Sequence, residues 1–347
     1  MTIMSDAAGI IGNRSPGDYA LAPVEHAEQL STSAPKLAAL LTRSVPVELA
    51  RQYAEADSEA RIAERTFKRW IIRANWAVLA TAMVSALLMA AALLGGSFGA
   101  LTQTILIVFA LIGVAVGGIA SMSLFRVKEG RLLESWMTAR ARAETKRLSY
   151  FNYIVDSSEE GALDPQLDLL KLEYFRRYQL DLQLAYYKTR RSGHRKSAER
   201  TLDISAGSVL VAAFASGAAG VLGALHTEWA ALGSLAVFGA ALQAFAAARE
   251  SINQDRRNAE RYEHSAQALQ GLRERLDDVR GGIAAGSTSV LGEYVTAVQD
   301  QLSLEHRQWL EAAENMQAAV ARLEKALTSG VTQKDAVSSE EGADNKD

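Results

Sequence analysis

Charge disappears from two long stretches of this chain. No residue between Arg73 and Arg126 carries a formal charge, and between Asp203 and Arg249 only Glu228 does. A helix rises about 1.5 Å per residue and needs roughly 20 apolar residues to cross a bilayer. The first stretch therefore has room for two spans, and the second divides at Glu228 into two more. The pattern predicts spans over about 75–94, 104–125, 204–225 and 229–248, with turns at Gly95-Gly96-Ser97-Phe98-Gly99 and from Ala224 to Glu228. A surface helix of a soluble protein would repeat charges on one face about every 3.6 residues, whereas these four segments are apolar or small all round. The competing reading is a set of buried core helices in a large soluble protein. The predicted fold class is an all-α membrane protein: four transmembrane helices as two hairpins, with long cytoplasmic helices.

The flanks give an orientation. Lys68, Arg69 and Arg73 precede the first span, and Arg126, Lys128 and Arg131 follow the second. Arg190, Arg191, Arg195, Lys196 and Arg200 precede the third, and Arg249, Arg256 and Arg257 follow the fourth. Neither turn contains Lys or Arg, so the positive-inside bias places both termini and the central segment in the cytoplasm.

Outside the spans the pattern is helical. Pro16, Pro23, Pro35 and Pro46 fall too close together for one continuous helix, so residues 1–46 are expected to form a poorly ordered arm. The first hairpin unit, with flanking helices, is predicted over 47–155. A cytoplasmic connecting helix within 156–200 follows, rich in Leu167, Leu170, Tyr174, Phe175, Tyr178, Leu182 and Tyr186. The second hairpin unit covers 201–280 and includes an exit helix from Arg249 to Arg280. A C-terminal helix over 289–327 keeps near-heptad spacing through Val295, Val298, Leu302, Trp309, Met316 and Leu323, which predicts a cytoplasmic coiled coil or bundle. Residues 330–347 are polar and net acidic without apolar period, and are expected to be a disordered tail.

The two halves read as a repeat. Each hairpin is followed by a charged helix with a similar block, Arg140-Ala141-Arg142-Ala143-Glu144 and Arg256-Arg257-Asn258-Ala259-Glu260. Glu144 lies 19 residues past Phe125 and Glu260 12 past Ala248; the difference of seven is two helical turns and keeps the same face.

Composition narrows the chemistry. The chain of 347 residues has no cysteine, which removes disulfides, thiolate metal sites and a cysteine nucleophile. Asp6 and Asp18 interrupt the opening residues, and no cleaved signal peptide is expected. The net charge of −3 gives no sign of nucleic-acid binding, because the basic residues sit beside spans where anionic headgroups would face them. No nucleic-acid partner is expected. The run Gly95 to Gly99 fits the spelling of a nucleophile elbow, but that motif needs a strand before the serine and a histidine partner, and apolar helices flank it here. His26, His194, His226, His264 and His306 have no metal-ligand spacing. No enzyme, cofactor or metal is expected.

The spans hold no Asp, Glu, Lys or Arg at mid-membrane depth, which argues against a coupled pump or transporter. They do hold small residues at helical spacing: Gly113 and Gly117 in the second, and Ser205, Ser208, Ser216, Gly220 and Gly223 in the third. Such residues serve helix packing within or between hairpins, or a weakly polar pore lining, and either use favours a homo-oligomer. A membrane-proximal basic face is predicted from Arg140, Arg142, Lys146 and Arg147 after the first hairpin and from Arg190, Arg191, Arg195 and Lys196 before the second.

The basic entry Lys68-Arg69-Trp70 with Arg73, the short-turned hairpin, the exit helix through Trp136, Arg140, Arg142 and Glu144, and the second exit block Asn258-Ala259-Glu260-Arg261-Tyr262 together resemble the SLATT superfamily. These are the two-span effector domains associated with SMODS and SLOG modules in bacterial defence systems. The resemblance covers roughly 60–155 and 198–276, as two tandem copies. It implies a pore-forming or membrane-perturbing effector of the bacterial inner membrane, gated by cytoplasmic helices or by a partner sensor or nucleotide-signalling protein. The sequence shows no sensor module of its own. The alternative is a non-conducting membrane scaffold or sensor that binds a partner through its cytoplasmic helices, and an uncoupled channel is a third reading.

Overall fold

A computed structural model describes residues 2–94, 100–157, 164–225 and 233–340. These residues form helices without any strand among them: α1 (Thr2–Ile11), α2 (Pro23–Leu30), α3 (Pro35–Leu41), α4 (Ser44–Leu94), α5 (Ala100–Glu129), α6 (Leu132–Asp156), α7 (Pro165–Phe175), a π-helical turn (Arg176–Leu180), α8 (Asp181–Leu225), α9 (Gly233–Asn253), α10 (Asp255–Glu274), α11 (Leu276–Ala284) and α12 (Val290–Glu340). They group into two compact units. The first comprises 1–63, 134–194 and 257–311, and the second 64–133, 195–256 and 312–347.

The first unit has a conventional apolar core. Leu37, Leu41, Tyr150, Phe151, Leu169, Tyr174, Leu269 and Val298 are all shut off from solvent and belong to one cluster. The N-terminal segment is part of it, which corrects the expected poorly ordered arm over 1–46. Pro23 and Pro35 stand at the first positions of α2 and α3, where a missing N–H costs nothing and the fixed φ favours the helix. The prolines therefore start helices here, which bury Leu30, Leu37, Leu40 and Leu41, and α1 adds buried Ala7 and Ile11. At α7 the start is set by Asp164, whose carboxylate accepts from the Leu167 N–H at 3.1 Å, followed by Pro165 at the first position.

Other boundaries differ from the expectation in instructive ways. The exit helix of the first hairpin is interrupted at Gly130 and Arg131, where Arg131 takes φ 45°. The helix expected over Arg249 to Arg280 breaks at Gln254, with φ 48°, and again at Arg275. Each hairpin thus ends on one left-handed non-glycine residue, a conformation that pattern alone does not announce. Helix α12 continues past 327 to Glu340, because extending an existing helix adds one hydrogen bond per residue fixed. Its apolar stripe buries Val295, Val298 and Leu302 in the first unit and Met316, Ala319 and Leu323 in the second. The Gly95–Gly99 turn, most of the second turn (226–232), part of the break before Pro165 (158–163) and the end of the acidic tail (341–347) lie outside the described residues.

In the second unit, α4, α5, α8 and α9 carry segments long and apolar enough to cross a membrane. Large apolar side chains stand exposed along them, among them Leu111, Val114, Leu210, Val221 and Phe214, the last 82% exposed. Contiguous exposure of this kind is a penalty in water and none in hydrocarbon.

Candidate functional site

Helix contact in the second unit is set by small residues. On α5, a Cβ at Gly113 would stand 3.0 Å from Val84 Cγ1, and one at Gly117 would stand 3.9 Å from Thr81. These two glycines therefore pack the first hairpin onto itself. The tightest approach is in the second hairpin. A Cβ at Gly239 would fall 2.7 Å from the Ser208 carbonyl oxygen, 2.8 Å from Ala212 Cβ and 2.9 Å from the Ala212 nitrogen, so only glycine fits there. The ring of Trp76 lies 4.7 Å from that of Phe245, joining α4 to α9.

The predicted small-residue set divides. Gly113, Gly117 and Ser208 are used inside the unit, and Ser208 bonds back to the Ser205 carbonyl at 2.7 Å. Ser205 and Gly223 are half-buried, while Ser216 and Gly220 are exposed and nothing lies within 4 Å of a Cβ at Gly220. Gly239 escaped the sequence reading. Its signal was available in the α8 stripe, since Ser208 and Ala212 lie one turn apart and require a small partner on the returning helix.

The predicted basic face also divides. Arg142 pairs with Glu59 at 2.6 Å, Arg191 with Glu263 at 3.0 Å and Arg195 with Glu199 at 3.2 Å. Exposed Arg190 lies over the Tyr186 ring at 5.3 Å, and Lys196 is exposed. Arg140 is held by Glu144 at 2.5 Å and Asp57 at 3.3 Å, and Lys146 is half-buried. Arg147 is not on any face, which corrects its assignment. It is buried in the core of the first unit, donating through Nε to Gln179 Oε1 at 2.6 Å, through Nη2 to the Tyr178 carbonyl at 2.7 Å and through Nη1 to Tyr53 Oη at 3.2 Å. The Tyr178 carbonyl and Gln179 that accept from it both lie in the π-helical turn.

The same turn holds the N-terminal segment. Arg176 donates to the Gly12 carbonyl at 2.7 Å, Arg177 to the Ile11 carbonyl at 2.5 Å, and the Arg177 Nε to Asp18 at 2.9 Å. Burial works against the Asp18 carboxylate, but Arg177 and the Ser15 N–H outweigh it and hold its pKa below the usual range. Beside them His26 shares a 2.8 Å hydrogen bond with Tyr174 and stacks on Tyr178 at 4.1 Å; burial, with Arg177 nearby, lowers its pKa to about 4.

A cleft of about 200 Å³ opens in the first unit between α6, α8, α10 and α12, bounded by Arg140, Glu144, Tyr186, Tyr187, Tyr262 and Glu305 among others. Burial raises the Glu305 carboxyl pKa against the pull of Arg261, whose Nε lies 3.4 Å away. Among the described residues no group of three or more His, Asp or Glu is placed to hold a metal ion.

Two apolar hairpins, closed by glycine contacts and joined to a helical unit, define a multi-span membrane protein. Residues 175–309 match the family model described as SMODS and SLOG-associating 2TM effector domain 1, so the resemblance to the SLATT superfamily holds over that segment. The match runs from the last residue of α7 through the π-helical turn and the second hairpin into α12, and the first hairpin lies outside it. No curated protein and no solved structure matches the chain.

Proposed function

We propose that this chain is the membrane effector of a bacterial anti-phage defence system, which opens or perturbs the inner membrane as a homo-oligomer. Both hairpins insert with their turns outside and both termini in the cytoplasm. The observation that carries this reading is the match of residues 175–309 to a two-span effector domain, together with apolar helices long enough to span. The paired left-handed joints at Arg131 and Gln254 support reading the first hairpin as a second, diverged copy. The cytoplasmic helices, or a sensor protein bound to them, would set the gate, with Arg142, Arg190, Arg195 and Lys196 near anionic headgroups.

The test is induced expression of the full chain in bacteria, with and without the genes beside it, while growth and entry of an impermeant dye are followed. Arrested growth with dye entry is the expected result. Unimpaired growth and excluded dye, with the protein verified in the inner membrane and a cognate phage present, would overturn the reading. The second reading, a non-conducting scaffold, is favoured by one observation, the partly open cleft of the first unit with its tyrosine and paired-charge lining.

A further inference from the structure

One polar side chain on a spanning helix stands where neither the described residues nor hydrocarbon offers it a hydrogen-bond partner. Gln243 lies within the uncharged run from Trp229 to Ala248, six residues before Arg249, which is about 9 Å of helix rise inside the first basic flank. A hydrocarbon layer is about 30 Å thick, so this depth is inside it. The side chain is exposed and has no hydrogen-bond partner among the described residues. Its carboxamide offers two donors and an acceptor, and hydrocarbon supplies neither complement.

The rest of α9 shows which way this residue faces. Gly239, Phe245 and Ala246 are buried, with Gly239 against Ser208 and Phe245 against Trp76. Ala240 and Ala247, three residues before and four after Gln243, are exposed on the same side. The helix thus has one face spent on its own hairpin and another that is bare, small and interrupted by a single hydrogen-bonding group.

We infer that Gln243 and its flanking alanines form the seam on which a second copy of this chain docks, α9 against α9. A carboxamide is self-complementary: two copies related by a two-fold axis exchange two N–H to carbonyl hydrogen bonds, each donating once and accepting once. The alanines let the backbones come close enough for the short glutamine arms to meet. A lipid carbonyl or headgroup could accept from the amide but leaves its carbonyl oxygen without a donor. The seam rests on the membrane placement and self-association proposed above and adds to them the face, the residue and the symmetry.

The absence of cysteine makes the test direct. Full-length Ala247→Cys, which keeps Gln243 and lies one turn further along the same exposed side, is oxidised in native membranes and compared with Phe214→Cys, an exposed position on α8. A disulfide requires Cα atoms within about 7 Å, so it reports a close seam. The expected result is a covalent dimer at 247 and little at 214. Gln243→Leu should weaken self-association in nanodiscs by about five- to thirtyfold, with Gln243→Asn closer to the parent. If the chain is oligomeric by mass but 247 cross-links no better than 214, or Gln243→Leu associates normally, the seam is wrong and the effector reading stands. If the parent chain is monomeric in bilayers at all loadings, the seam and the oligomeric effector fall together. Dimer formation at 247 only with a second membrane protein present assigns the face to that partner and overturns the inference.

Discussion

Gly239 meets Ser208 backbone to backbone: a methyl group on Gly239 would stand 2.7 Å from the Ser208 carbonyl oxygen. The second hairpin is closed at this contact. Gly239→Ala should destabilise the folded protein by about 1–3 kcal/mol, the usual cost of overpacking. Gly220→Ala, with open space around it, should stay within about 0.5 kcal/mol. Thermal unfolding of both variants in the same detergent measures the difference.

The split in the small-residue set separates packing from assembly. Gly113→Leu with Gly117→Leu should destabilise the chain itself, because Val84 and Thr81 occupy the space. Ser216→Leu with Gly220→Leu should leave stability unchanged and act, if anywhere, on complex mass. Unfolding curves and light scattering on each double variant distinguish the two outcomes.

Arg147 should behave as a core residue. Arg147→Gln leaves the Tyr178 carbonyl and Gln179 without their donor and should lower stability by about 2–4 kcal/mol. Arg142→Gln, which breaks only the exposed pair with Glu59, should cost less than about 1 kcal/mol. Denaturant titration in detergent gives both values. Any charge-neutralising test of gating should therefore use Arg142 and Lys146 and spare Arg147.

His26 makes the first unit acid-sensitive. Its folded pKa, lowered by burial from 6.5 to about 4, means that the unfolded state binds more protons between those values. Its contribution is complete above pH 6.5 and is lost as pH falls toward 4, roughly 3 kcal/mol in all. Glu305, whose folded pKa is raised by burial, works with the opposite sign, being most favourable at low pH. The difference in stability between parent and His26→Gln, measured from pH 7.5 to 4, isolates the histidine: it should shrink steadily across that window.

The proposed topology predicts outward-facing turns. Cysteines placed at Ser97 and Thr227 should react with an impermeant thiol reagent in spheroplasts, and one at Ser197 should react only after lysis. Labelling at Ser197 in intact spheroplasts would reverse the orientation.

By itself, the sequence determined the features that depend on solvent partition and short-range order. Charge is absent from Arg73 to Arg126 and nearly so from Asp203 to Arg249. Four helices apolar enough to span follow from that alone, and the residues around the second hairpin were enough to indicate the family. Other features depended on which residues meet from positions far apart along the chain. Pro23 and Pro35 look like breakers in one dimension, yet they begin helices that the core of Tyr150, Tyr174 and Leu269 rewards with burial. Arg147 shares its helix with exposed Arg142, and only the packing of Tyr53, Tyr178 and Gln179 around it makes it interior. Gly113, Gly239 and Gly220 are alike in composition, and the tertiary fold alone decides that a neighbouring helix fills the space beside the first two and leaves the third bare.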